Sequence, residues 1–193
     1  MRFLTDFADQ AVILPIVLAI GLALLAQGWR RGAVAWLLAI TATFAAMLAL
    51  KMFFLACSST FGTADIRTPS GHVAAATVVA GGLAGLLLRG RRAALLFAVV
   101  AAILIGGTRL GLRMHSATEV VIGAGVGLAG TWALLLLAGE PPPQLEARRI
   151  ALIAAAVAVV FHGFHLPAEA HIRSTALRLA HLLAVCQSAE LRL

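Results

Sequence analysis

Six uncharged apolar stretches, at roughly residues 11–27, 33–50, 73–88, 93–107, 120–138 and 150–161, take up most of the chain and leave only short polar connections between them. In hydrocarbon, the backbone amides of such a run must bond within the segment, which makes each run a candidate transmembrane helix. An apolar content of 62% over 193 residues agrees, because a surface facing water needs more polar side chains than this chain supplies. The runs at 73–88 and 93–107 hold 16 and 15 residues and that at 150–161 only 12, against the ~20 that cross a typical hydrocarbon core, so flanking residues must extend them or the local membrane must be thin. The expected fold is all-α, a polytopic bundle of about six transmembrane helices over residues 1–167. Residues 168–193 form a tail in which Ile172, Leu179, Leu182, Leu183 and Val185 mix with Arg173, Arg178 and His181. That pattern holds too many charges to span and suits an amphipathic helix at the membrane interface.

Charge gives the bundle a direction. The formal net charge of +7 would point to nucleic acid in a soluble protein. Here Arg30 and Arg31 fall after the first run, Arg89, Arg91 and Arg92 after the third, and Arg148 and Arg149 after the fifth. Those connections share one side, and the positive-inside rule assigns it to the cytoplasm, so the amino terminus and the second and fourth connections face outward. No nucleic-acid partner is expected. Asp6 and Asp9 stand before the first run where a secretory leader has a basic start, so that run reads as the first helix. Cys57 and Cys186 fall near the outer face, where a disulfide is chemically permitted, although two small buried apolar residues are the simpler reading. Gly81 with Gly85, and Gly123 with Gly127, have the spacing that lets helices approach closely in lipid. Gly123, Gly125 and Gly127 lack the preceding strand that a nucleotide-binding loop requires. Pro141, Pro142 and Pro143 end the fifth helix in a stiff connection.

Polar residues concentrate in the two outward connections. The first runs from Lys51 through Arg67 to Pro69-Ser70-Gly71-His72, and the second holds Thr108-Arg109, Arg113, His115 and Thr118-Glu119. A phosphate ester needs cations on its oxygens, a nucleophile in line with the leaving group, and an acid for the departing alkoxide. Arg109 offers a bidentate grip on phosphate, with Lys51 and Arg67 as further cations. Ser70 and the backbone N–H groups of Gly71 and His72 offer hydrogen bonds at a helix start. If the fifth helix opens at Met114, His115 and Glu119 stand four apart on one face, and Glu119 orients the imidazole. His162 and His165, three apart at the outer end of the sixth run, are a weak metal pair or ordinary interfacial histidines.

These segments resemble the type 2 phosphatidic acid phosphatase (PAP2) superfamily. Its pattern is Lys, six residues, Arg-Pro; then Pro-Ser-Gly-His; then Ser-Arg, five residues, His, three residues, Asp. The middle part stands unaltered as Pro69 to His72, and the last appears as Thr108-Arg109, five residues, His115, three residues, Glu119. In the first part Lys51 is in place, but Ser58 stands where the family has Arg, and Arg67 is the candidate replacement. The resemblance covers roughly residues 51–130. It implies that His115 attacks phosphorus to form a phosphohistidine, that Glu119 holds its other ring nitrogen, and that His72 protonates the leaving group. It further implies a membrane phosphatase without cofactor or metal, acting on a lipid-borne phosphate outside the cytoplasm, in a bacterial inner membrane. Isoprenyl pyrophosphate, phosphatidylglycerophosphate, phosphatidic acid and lipid A phosphates are the substrate classes it brings forward. A lipid phosphotransferase using the same site, or a non-catalytic lipid-binding relative, stays open at this point. Haloperoxidases of the superfamily are soluble, which this chain is not.

Overall fold

The computed structural model describes residues 1–56 and 68–179, and among these the regular structure is entirely helical. In chain order the helices are α1 (Arg2–Asp6), α2 (Gln10–Ala26), α3 (Arg30–Ala56), α4 (Gly71–Leu88), α5 (Arg91–Gly111), α6 (Ala117–Ala138), α7 (Ala147–Phe161) and α8 (Ala168–Leu179). Arg67, Cys57 and Cys186 lie outside the described residues.

Among the described residues five segments are long and apolar enough to cross a membrane: α1 with α2, then α3, α4, α5 and α6. The sixth apolar run folds as α7, whose 15 residues reach about 22 Å at ~1.5 Å per residue, short of a ~30 Å hydrocarbon core. It packs along α2. Helix α4 lies at the centre, in contact with α3, α5 and α6. Large apolar side chains such as Leu18, Leu22, Ile103, Val121 and Val159 point outward and stay exposed. A continuous apolar exterior of this kind is a surface for lipid.

Close approach, more than apolar matching, decides how the helices meet. A Cβ on Gly81 would lie 2.5 Å from Thr131 and 2.9 Å from Ala98, so the missing side chain lets α4 seat against both α5 and α6. From the other side, a Cβ on Gly127 would lie 2.7 Å from the Ala74 carbonyl oxygen. Thr131 uses the contact to donate its hydroxyl to the carbonyls of Gly127, at 3.0 Å, and Thr77, at 3.3 Å. A hydroxyl in hydrocarbon needs such an internal acceptor. Trp36 is fully buried in the α2/α3/α4 core and donates its indole N–H to the Val17 carbonyl at 2.9 Å.

The two ends of the bundle differ in chemistry. At the arginine-rich end, Arg31 donates to the Leu137 carbonyl at 2.8 Å, and Arg89 donates to those of Pro143 and Leu145 at 3.0 and 3.2 Å. These cations satisfy carbonyls at and beyond the end of α6, where the helix dipole favours positive charge. At the opposite end the stretch after α7 folds back onto α1. His162 donates to the Phe3 carbonyl at 3.1 Å and packs against the rings of Phe3 and Phe7, tilted 51° and 50° to them, while His165 bonds the Asp6 carboxylate at 3.0 Å. Both histidines therefore serve to dock the chain, and among the described residues no cluster of three His, Cys, Asp or Glu side chains forms a metal cage.

Candidate active site

Four helix ends converge opposite the arginine-rich end: the last turns of α3 and α5 and the first turns of α4 and α6. How α5 stops and α6 starts determines where His115 sits. Met114 N–H bonds the Arg109 carbonyl at 3.0 Å and Arg113 N–H bonds that of Leu110 at 2.9 Å, with Arg113 at φ 54°. This is a Schellman closure with an arginine in the left-handed position that glycine usually takes. Two residues later Ser116 caps α6, its hydroxyl accepting from Glu119 N–H at 3.3 Å while Glu119 returns its carboxylate to Ser116 N–H at 3.1 Å. His115 thus lies just before the helix, not within it as a start at Met114 would require. The reason is local, since Ser116-Ala117-Thr118-Glu119 is a capping box.

Glu119 joins three segments. Its Oε2 accepts from His115 Nδ1 at 2.7 Å, and its Oε1 accepts the Thr68 N–H at 2.7 Å. Its own carbonyl accepts the Ser70 N–H at 3.0 Å. Because a carboxylate only accepts, Nδ1 of His115 carries the hydrogen and Nε2 keeps its lone pair, the arrangement of a nucleophile. Burial holds the His115 imidazole below the usual histidine range, with the charges of Arg109 and Lys51 adding to the effect and the Glu119 hydrogen bond opposing it. The ring is accordingly neutral near pH 7.

Donors and cations surround this pair. Ser70 is the N-cap residue of α4 but makes no side-chain cap, so Ser70 leaves the first N–H groups of the helix for another acceptor. Ser70 Oγ and Arg109 Nε are buried and have no partner among the described residues. Each such orphan costs ~1–3 kcal/mol, which an anion accepting from both kinds of donor would offset. Lys51 is buried, with its ammonium beside Gly71, and it forms an ion pair with Glu169 of α8. A phosphate reaching Lys51 must displace or share that carboxylate. His72 stands within electrostatic reach of Arg109, Asp9, Lys51 and His115. A cavity of about 300 Å³ is lined by His72, Lys51, Gly71, Asp9 and Glu169 together with the apolar Phe44, Met47, Leu48, Ala75 and Ile172.

The position of Ser70 depends on a glycine of α6. A Cβ at Gly123 would lie 2.4 Å from the Ser70 carbonyl oxygen, whereas one at Gly125 would meet nothing within 4 Å. Gly123→Ala is expected to lower stability by ~1–3 kcal/mol, the cost of overpacking against backbone. It should also cut activity by shifting the start of α4. Gly125→Ala should leave thermal unfolding and turnover near wild type, and equal behaviour of the two variants would contradict this packing account.

Of the residues that sequence alone nominates, His72, Arg109, His115, Glu119, Lys51, Ser70 and Gly71 are brought to this one end, and Arg67 lies outside the described residues. Asp9 and Glu169 were not nominated. Asp9 carried a signal in its position, an acid just before the first apolar run. Nothing in the tail marks Glu169 as a neighbour of Lys51.

Comparison with known proteins follows the same segment. No curated protein and no solved structure matches the chain. Residues 53–141 match the PAP2 superfamily model, a match that supports a phosphatase-type activity in general. Residues 53–141 are thus similar to the PAP2 superfamily, and the described helices of that segment, α4, α5 and α6, are long and apolar enough to cross a membrane.

Proposed function

We propose that this chain is a membrane phosphatase that hydrolyses a phosphate or pyrophosphate carried on a lipid, through a phosphohistidine on His115. The observation that carries the reading is the buried His115–Glu119 pair, with Nδ1 tied at 2.7 Å and Nε2 left as nucleophile beside Arg109, Lys51 and His72. In the first step Nε2 bonds phosphorus as the ester P–O bond breaks, and His72 gives its proton to the departing oxygen. In the second, His72 takes a proton from water, whose oxygen attacks phosphorus, and the P–N bond breaks to release phosphate. Arg109, Lys51, Ser70 and the N–H groups opening α4 balance the charge on the phosphoryl oxygens throughout. Arg67, outside the described residues, is the candidate for the cation that the family's first motif supplies.

The cavity supports a lipid substrate, since it is lined by Lys51, Gly71 and His72 together with the apolar Phe44, Met47, Leu48 and Ile172, which suit a hydrocarbon chain. The arginine-rich opposite end, read as cytoplasmic, supports a site on the periplasmic face of a bacterial inner membrane, at headgroup depth. Residues 1–167 supply the proposed catalytic and phosphate-binding groups, and α8 adds Glu169 beside Lys51. Cationic side chains take the role that a divalent ion has in other phosphatases, so no metal is required. Detergent-purified protein is expected to release phosphate from one or more of isoprenyl pyrophosphate, phosphatidylglycerophosphate, phosphatidic acid and lipid A phosphates in the presence of EDTA. Release from none of them, or activity lost on chelation and restored by Mg²⁺, would overturn the proposal in substrate or in mechanism respectively.

A further inference from the structure

Among the described residues three carboxylate–imidazole pairs lie at this end of the bundle: Glu119 with His115, Asp6 with His165, and Asp9 with His72. In the last pair Asp9 is the residue before α2 and His72 belongs to the first turn of α4. Asp9 is buried, and its carboxylate is fixed from two directions. Oδ1 accepts the Ala11 N–H at 2.8 Å, which caps α2, and the Leu166 N–H at 3.2 Å, which anchors the stretch between α7 and α8. That leaves Oδ2 facing His72, 3.8 Å from Nε2. The distance is an ion-pair distance, longer than a hydrogen bond, so Asp9 acts on the ring chiefly through charge.

The surroundings of His72 make that charge necessary. An acid that protonates a leaving alkoxide must hold its proton when the bond breaks, yet Arg109, Lys51 and His115 all bear on this ring. Two of these are permanent cations, which repel an imidazolium. Among the described residues Asp9 is the carboxylate facing the ring, and its charge opposes theirs. With Nε2 turned to Asp9, Nδ1 is the edge left for the substrate.

We propose that Asp9 is the positioning residue of His72, its charge facing the Nε2 edge and favouring the protonated form that donates to the leaving group. This rests on the phosphatase reading above. It gives the site one carboxylate for the nucleophile and a second, from the amino-terminal segment, for the acid.

Asp9→Asn tests it with little structural cost, because asparagine caps helices about as well as aspartate and keeps an oxygen for Ala11 and Leu166. The full chain in detergent is assayed on p-nitrophenyl phosphate and on dodecyl phosphate, compared as kcat/KM, which reports the step in which the leaving group departs. Nitrophenolate leaves without a proton and an alkoxide does not. D9N is expected to lose at least ~10-fold on dodecyl phosphate and under ~3-fold on the aryl ester, and adding D9N to His72→Ala should cost nothing further. Equal losses on both esters, or losses that multiply in the double variant, would overturn the role. A second measurement needs no turnover. In ¹⁵N-histidine spectra D9N should shift the His72 ring resonances and leave those of His115 in place, and unshifted His72 resonances would overturn the proposal. Absence of hydrolysis by the wild type on every phosphate ester would instead count against the phosphatase reading, with the spectra still deciding the Asp9 contact.

Discussion

His115→Ala is expected to lower turnover on any lipid phosphate by at least ~10²-fold, because it removes the atom that bonds phosphorus and leaves only charge stabilisation behind. The variant is a clean probe because the fold does not hang on this ring. His115 lies outside the helices, and Glu119 keeps the N–H groups of Thr68 and Ser116 when the imidazole is gone. The capping box and the tether to the Pro-Ser-Gly-His segment therefore survive, and thermal unfolding should move little. Alkaline quench of wild type with labelled substrate should trap phosphoprotein, and the alanine variant should trap none. Turnover near wild type in the variant would remove His115 from the mechanism. The same residue sets a pH limit. Attack needs the neutral ring, and burial, with help from Arg109 and Lys51, holds His115 below the ordinary value of 6.5. As pH falls the nucleophile is lost only when this lowered pKa is crossed, so the acid limb of kcat/KM should lie below pH 6.5. An acid limb above that value would mean that another group limits the rate or that His115 is not shielded as described.

The helical runs and the motif residues were legible because each is a local signal. An uncharged stretch in a chain this apolar can only be a helix, and Pro69 to His72 with Arg109, His115 and Glu119 are set by spacing. Less legible was which faces of the helices meet. Apart from α5 and α7, the long helices are apolar nearly all round, so periodicity does not separate a lipid face from a protein face. Glycines at 81, 123 and 127 were the exception, since the absence of a side chain is itself a packing signal. The turn at His115 was legible and was misread, for Ser116 and Glu119 at capping-box spacing place the helix start after the histidine. Asp9 and Glu169 belong to a different category. Their contacts with His72 and Lys51 depend on how the amino-terminal segment and the stretch after α7 fold back across the bundle, and no spacing within either segment encodes that. The first motif's missing Arg-Pro stays with Arg67 as its candidate, outside the described residues.

Arg109 should be the second residue whose loss is severe. It ends α5 with its side chain buried, and its Nε has no partner among the described residues. A guanidinium held with an unused donor in a buried site is poised for a planar, doubly bonded oxyanion, and the phosphoryl group in flight presents one. Arg109→Ala is therefore expected to reduce kcat/KM by at least ~10²-fold, with much of the loss in kcat because the grip tightens as charge spreads over the equatorial oxygens. Arg109→Lys restores the charge without the fork and should recover only part of the rate. The fold should tolerate both changes, because the acids within reach of Arg109 have other partners: Glu169 is paired with Lys51, and Asp9 is held by Ala11 and Leu166. If lysine restored full activity, the site would need only a positive charge there, and the bidentate geometry inferred from the orphaned Nε would be wrong. If alanine raised KM alone, Arg109 would bind ground state and transition state equally, a docking residue rather than a catalytic one.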